Sequence, residues 1–245
     1  MLPGKVFARR ADRLSTEPAG PSFDRAWAAL DPPGTVLDVG SGPGAASLPL
    51  LPRTTALTAV DADEPMLALL AERSGARGVR ADCIAGRWPD VAGQVPAADV
   101  VTCHHVAYNV PDLGPFVTAL TDHARRLVVI EVAYLHPLTS LNELWLRFHG
   151  LARPGRPTGV DILAILTAMG LRIGHERWSR PAGADYESFA ELTDVTRRRL
   201  CLPPQRAADV ADALIEAGVD PAHPQDLGSS GRDVLSIWWD GSAQN

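Results

Sequence analysis

Of the 23 lysine and arginine side chains in this 245-residue sequence, only Lys5 is a lysine. Against 29 Asp and Glu they leave a formal net charge of -6 and a pI near 5.6. Phosphate-backbone binding relies on clustered Lys and Arg, so this balance argues against a nucleic-acid partner. Arg125–Arg126 and the triplet Arg197–Arg199 read as solvated helix faces or terminal-turn charges. The skew toward arginine, with abundant alanine, glycine and proline, reads as coding bias. Cysteine is scarce too. Cys83, Cys103 and Cys201 are odd in number and far apart, without a C-x-x-C pair, which indicates neither a disulfide framework nor a zinc knuckle, and no metal site is expected. No apolar run is long enough to span a bilayer, and the first twenty residues lack an apolar core like that of a secretory signal. The expectation is a soluble, cytoplasmic protein with no membrane partner.

What is present is an apolar content of 46%, enough to bury the core of one α/β domain with small additions. Apolar runs suited to buried strands fall at 36–39, 56–60, 79–81, 100–104 and 127–132, alternating with helical patterns, and this predicts a mainly parallel sheet. Ser22–Leu30 reads as a helix capped by Ser22, with Phe23 and Trp27 against the sheet; Glu64–Gly75, with Pro65 in its first turn, and Asp112–Ala124 are two more. Beyond Val132 the pattern predicts helices over 136–149, 159–169, 186–200 and 204–217, strands over 171–178 and 233–239, and a frayed tail at 241–245.

The densest signal is Thr35–Leu51, TVLDVGSGPGAASLPLL. A short strand ends on Asp38, and Gly40, Gly42 and Gly44 open a turn before an Ala/Leu-rich segment. Three glycines allow positive φ and close approach of the backbone to a ligand, while a following helix start would offer unpaired N–H groups. Gly40, Gly42 and Ala45 also satisfy the loose dinucleotide pattern G-x-G-x-x-[GA], so glycine alone does not choose the ligand. Asp38 does: a carboxylate two residues before the first glycine suits a cationic amino-acid moiety better than a polyanion.

DVGSGPG at 38–44 resembles the D-x-G-x-G-x-G signature of class I S-adenosylmethionine-dependent methyltransferases, and further signatures follow in order from about Ser22 to Val132. The resemblance implies an α/β fold: Rossmann-like, doubly wound, a mainly parallel seven-stranded sheet with helices on both faces and an antiparallel last strand. It implies S-adenosyl-L-methionine as cofactor, held by Asp38, Gly40, Ser41, Gly42 and Gly44, by Asp61, Ala62 and Met66 after the second strand, by Asp82 and Cys83 after the third, and by His104. Asp61 would take both ribose hydroxyls, Met66 would pack near the adenine, and Asp82 would accept its exocyclic amine. Asp61 and Asp63 also suit helix capping before Pro65. Pro49 and Pro52 stand where the family's first helix runs on, so that helix is expected to be short or irregular.

Methyl transfer from a sulfonium asks the protein to align the reactants and, for a hydroxyl acceptor, to remove a proton. His105 is the candidate base and His104 its neighbour, at the end of the fourth strand. Tyr108, Asn109, Tyr134, Trp145 and His149 are the candidate acceptor-binding residues, lining an aromatic pocket for a small, partly apolar molecule. HHVAYN stands where the family's asparagine-proline-proline type motif would serve amino groups of bases or glutamine, which disfavours those substrates. The expected function is methyl transfer to an oxygen or nitrogen of a small-molecule acceptor. An RNA methyltransferase using Arg147, Arg153 and Arg156 as a basic rim, and a catalytically silent binding module, are the alternatives; no Tyr-x-x-x-Lys pair supports a nicotinamide oxidoreductase. One domain is expected over 1–245, with a helical segment at 1–30, a cofactor-binding half at 31–135 and acceptor-side helices and last strands at 136–240. Monomer and homodimer both remain open.

Overall fold

The computed structural model describes residues 4–180, 185–229 and 232–242. Seven strands form one sheet: β1 (Gly34–Val39), β2 (Thr54–Asp61), β3 (Ala81–Ala85), β4 (Ala98–His104), β5 (Ala124–Ala133), β6 (Gly174–Ser179) and β7 (Asp233–Asp240). Their spatial order is β3-β2-β1-β4-β5-β7-β6; β7 runs antiparallel to both its neighbours and the other pairings are parallel. This is the Rossmann-like architecture expected from the resemblance. Chain order reverses between β1 and β4, and the carboxyl ends of neighbouring strands open a crevice at such a switch point.

The central strands are apolar on both sides because helices cover both faces. On one face Leu37, Val101, Cys103, Val128 and Ile130 pack with Phe116, Val117 and Leu120 of α4 (Leu113–His123) and Ile162 and Leu166 of α6 (Gly159–Ala168). On the other, Val36, Leu57, Val100 and Val129 meet α2 (Pro21–Ala29), α3 (Glu64–Gly75) and the leucines of a 3-10 segment, Leu48–Arg53. A third apolar cluster lies away from the sheet and joins Val6 of α1 (Gly4–Thr16), Leu144 of α5 (Asn142–His149), Leu192 and Val195 of α7 (Phe189–Arg199) and Val210 and Leu214 of α8 (Ala207–Glu216).

Several local expectations change. No α-helix follows the glycine turn: residues 42–47 are turns that lead into the 3-10 segment, because Pro49 and Pro52 lack the N–H groups a continuing α-helix needs. Ser22 is no cap; Gly20 occupies that position, and the Ser22 hydroxyl is buried on Glu131 and Ser236. β3 begins at Ala81 rather than Val79, a short polar edge strand with little apolar signal. The stretches expected as single helices at 136–149 and 204–217 each open with a 3-10 turn, Pro137–Leu141 and Pro204–Arg206. Gly241 and Ser242 of the expected frayed tail donate backbone bonds to Arg126 and Thr121, and 243–245 lie outside the described residues.

Candidate active site

A cavity of about 790 Å³ opens at the carboxyl ends of β1, β2 and β4. The glycine turn forms one wall. Gly40, Gly42 and Gly44 all have positive φ, at +68°, +50° and +95°. A Cβ on Gly40 would come within 2.3 Å of Val106 Cγ2, so this glycine permits close packing of the loop on the segment after β4. A Cβ on Gly42 would meet nothing within 4 Å; its bare face is open to a ligand.

Asp38, 1% exposed, is the last residue but one of β1, just before the turn. Thr102 Oγ1 donates to its Oδ1 at 3.0 Å; Ser47 lies close by, but among the described residues no donor reaches the buried Oδ2 at hydrogen-bond distance. Burial pushes this carboxyl up to about 6; Ser47 and Thr102 pull it down and the Asp61 charge adds to the rise. A buried carboxylate with an orphaned oxygen at a cavity wall is built to meet a cation.

Asp61, at the end of β2, is fixed by backbone: Gly42 N donates to Oδ2 at 2.8 Å and Asp63 N to Oδ1 at 2.9 Å. Each oxygen keeps a lone pair for a further donor. Asp63 is the α3 cap, accepting from Met66 N, and Ala62, Asp63 and Met66 all line the cavity. Ser41 lines it as well, whereas Gly44 does not; its φ serves the turn, where a Cβ would strike Leu48 at 2.8 Å.

Asp82 and Cys83 stand away from the cavity. Because β3 runs to Ala85, Asp82 pairs with Thr58 within the strand and its side chain is 74% exposed beside Arg80. Cys83 is also exposed and faces the carbonyl of Leu67. The segment after β3 reaches the cavity instead with Gly86, Arg87, Trp88, Pro89 and Asp90. Trp88 is 8% exposed, donates from Nε1 to Phe116 O at 3.2 Å and packs edge-on against His123.

His104 and His105 both reach the cavity, although neighbours on a strand point to opposite faces. The reason is that β4 ends at His104 and His105 turns into the left-handed region, φ +61°, where non-glycine residues are rare. Burial, followed by the Arg180 charge, pulls His104 down to about 3, and the same causes with Arg10 and His104 hold His105 well below the ordinary histidine value. Glu131 Oε1 lies 3.6 Å from His105 Nε2, but Arg180 is ion-paired to that oxygen and takes up most of its pull.

Glu131 is 1% exposed and ends a directed chain of hydrogen bonds. Trp178 Nε1, a donor only, bonds Ser236 Oγ at 3.1 Å; Ser236 meets Ser22 Oγ at 2.6 Å; Ser22 donates to Glu131 Oε2 at 2.9 Å. With one proton on Ser22 given to the carboxylate, the Ser22–Ser236 bond runs from Ser236.

Of the expected acceptor residues, Tyr108 and Asn109 line the cavity and three do not. Tyr134 lies under the Arg177 guanidinium, 3.5 Å from its ring centroid. Trp145 stacks between His149 and Arg153, and His149 Nε2 is bonded to Leu200 O at 2.7 Å, so both belong to the packing of the third cluster. The basic rim that the RNA alternative would need does not form as three free cations: Arg147 pairs with Glu216, Arg156 with Asp161, and Arg153 stacks on Trp145. Phe7, Arg10, His136, Arg199 and Ser229 also line the cavity. Sequence reasoning missed them; they come from α1, the segment after β5, the end of α7 and the connection between α8 and β7, and none carries a local motif.

Residues 36–127, from β1 into β5, match the family model of a methyltransferase domain. Solved structures agree on the fold. A Thiobacillus denitrificans S-adenosylmethionine-dependent methyltransferase in complex with S-adenosyl-L-homocysteine matches with 18% identity and a TM-score of 0.56, covering 100% of each chain. The YcgJ protein of Bacillus subtilis matches with 17% identity and a TM-score of 0.56, over 91% of this chain and 99% of its own. Magnesium protoporphyrin IX methyltransferase of Synechocystis, with bound S-adenosylhomocysteine, matches with 16% identity and a TM-score of 0.55, over 97% and 84%. A search of curated proteins finds no match. Over 36–127 the chain carries a methyltransferase domain, and its fold is that of solved S-adenosylmethionine-dependent methyltransferases, which makes S-adenosyl-L-methionine the cofactor. The residues present suit that cofactor on their own chemistry: the orphaned Asp38 oxygen for a cationic moiety, the open face of Gly42 for close approach, and the held Asp61 carboxylate for paired hydroxyls.

Proposed function

We propose that the protein transfers a methyl group to an oxygen or nitrogen of a small-molecule acceptor that enters the same cavity as the cofactor. The observation that carries this reading is the continuity of the cavity from the glycine turn to His105, Tyr108 and His136, which encloses space for a second, smaller molecule. Asp38, Gly40, Ser41, Gly42, Asp61, Ala62, Met66 and His104 are the cofactor side of that space. The bound cofactor supplies a methyl carbon activated by positive sulfur. The chain then needs to orient the acceptor, exclude water and hold a proton. His105 is the base in this reading because its ring faces the cavity and is neutral at pH 7, although burial and the Arg180 and Arg10 charges weaken its basicity. Tyr108 and Asn109 position the acceptor. The whole chain acts as one domain in this reading, since α1, the strand ends and α7 all contribute wall residues.

An acceptor screen with labelled S-adenosylmethionine tests this. His105→Gln is expected to lower kcat by about 10²–10⁴-fold with cofactor affinity retained. Cofactor binding without transfer to any small molecule would favour the silent module, and salt-dependent RNA retention would favour the RNA enzyme.

A further inference from the structure

Three rings follow one another along the cavity wall: His105, Tyr108 and His136. The Tyr108 ring lies 6.3 Å from that of His105, tilted by 54°, and 5.2 Å from that of His136, edge-to-face at 74°. Tyr108 comes from the 3-10 turn Ala107–Asn109 after β4, and His136 from the segment after β5, just before Pro137. Tyr108 thus links the base to a second histidine, which lies beyond the groups assigned to the cofactor.

His136 differs from the other cavity histidines in having its tautomer fixed by the backbone. As the cap of the 3-10 turn Pro137–Leu141, its Nδ1 accepts the Leu138 N–H at 3.2 Å. A neutral imidazole has one acceptor nitrogen and one donor, so Nε2 carries the proton. Burial, followed by the Arg153 charge, lowers the ring's pKa and keeps it neutral. The Nε2–H makes no hydrogen bond with the described residues, and it is not buried as the unpartnered Nε2 atoms of His104 and His105 are. It is an open donor on a ring held by Leu138 N at one edge and by Tyr108 beside it. The neighbouring wall, with Phe7, Pro137 and Leu138, is apolar, so a ligand oxygen set before this donor would meet few competing partners.

We propose that His136 is a specificity-determining residue that donates from Nε2 to a carbonyl oxygen of the acceptor, and that the acceptor is an apolar molecule bearing that carbonyl on the same frame as the hydroxyl or amine that is methylated. This rests on the reading of the cavity as a methyltransferase site. A nitrogen that only donates selects a group that only accepts, which a carbonyl is and a methylene is not. An analogue lacking the oxygen would cover the donor and leave it unpaired, and that loss is what discriminates. Tyr108, whose hydroxyl burial keeps protonated, offers ring surface to the apolar frame.

The test is calorimetric titration of the protein saturated with S-adenosylhomocysteine, using 2′-, 3′- and 4′-hydroxyacetophenone and, for each, the ethylphenol of the same substitution. At least one ketone is expected to bind about tenfold or more tightly than its ethyl counterpart. His136→Asn keeps an acceptor for the Leu138 N–H but has no donor at the Nε2 position, and it should abolish that preference while leaving S-adenosylhomocysteine affinity unchanged. His136→Gln, whose amide nitrogen reaches about as far as Nε2, should retain it. A nitrogen-15 spectrum of the unaltered protein at pH 7 should show His136 protonated at Nε2 alone; should the variants fail to fold, this spectrum and the ketone-to-ethyl ratio decide. The proposal is overturned by a proton on Nδ1, by the absence of ketone binding or preference in every pair, or by a preference that His136→Asn leaves in place or that His136→Gln loses equally. Failure of S-adenosylhomocysteine to bind at all would instead overturn the reading on which it rests.

Discussion

At the scale of single residues, two glycines of one turn serve different ends. Gly40 meets Val106 at a distance no Cβ can occupy, so Gly40→Ala must push the segment after β4 outward; circular dichroism melting should show a loss of roughly 2–4 kcal/mol. Gly42 faces open space, and Gly42→Ala should cost only about 1 kcal/mol of left-handed strain while blocking the ligand face. Normal melting with lost S-adenosylhomocysteine binding is the expected pair of results. Asp38 gives a pH signature. Its folded-state pKa, about 6, is raised above the unfolded value near 4, so its contribution to stability is present below pH 4 and is lost as pH rises through 6. Asp38→Asn should therefore stabilise the cofactor-free protein at pH 8 by on the order of 1–3 kcal/mol and make no difference below pH 4, as read by urea denaturation. Cofactor binding near pH 6 should release a proton, measurable as a buffer-dependent binding enthalpy.

At the scale of elements, the strands that deliver the site differ in how plainly the sequence announces them. β1, β2 and β4 are buried on both faces, and their apolar runs stand out; the glycines and Asp61 that follow were readable for the same reason. β3 is a partly exposed edge strand, ADCIA, and its polar content moved its expected start by two residues and carried Asp82 out of place. His105 was legible as a residue type but not in its direction, since adjacency on a strand does not reveal a positive φ. Arg10 and Arg199 were not legible as wall residues at all: each lies on an amphipathic helix whose placement depends on long-range packing. The Trp178–Ser236–Ser22–Glu131 chain joins β6, β7, α2 and β5, and it too was invisible locally. Ser22→Ala removes its middle link and leaves the Glu131 and Ser236 oxygens short of a partner, so urea unfolding should show a loss of about 1–3 kcal/mol.

At the scale of the whole molecule, the sheet builds the cofactor half of the cavity and the third apolar cluster closes the other half over it. α1 is tied into that closure by Arg9, which bonds Glu191 at 2.5 Å, and by the sharing of Asp185 between Arg10 and Arg13. Asp185 is 7% exposed, so Asp185→Ala removes a buried counter-charge shared by two guanidiniums. The expected cost is roughly 2–4 kcal/mol, below that of a fully buried pair because the Arg13 side chain is 33% exposed; chemical denaturation measures it. Among the described residues no helix is long and apolar enough to cross a membrane.

The central claim is that this cavity holds S-adenosylmethionine through the glycine turn and Asp61. Calorimetric titration of the purified protein with S-adenosylhomocysteine, repeated on Asp61→Ala, tests it most directly. Saturable one-to-one binding that the substitution weakens by about tenfold or more is the predicted result. Absence of binding, or binding to which Asp61 is indifferent, would contradict it.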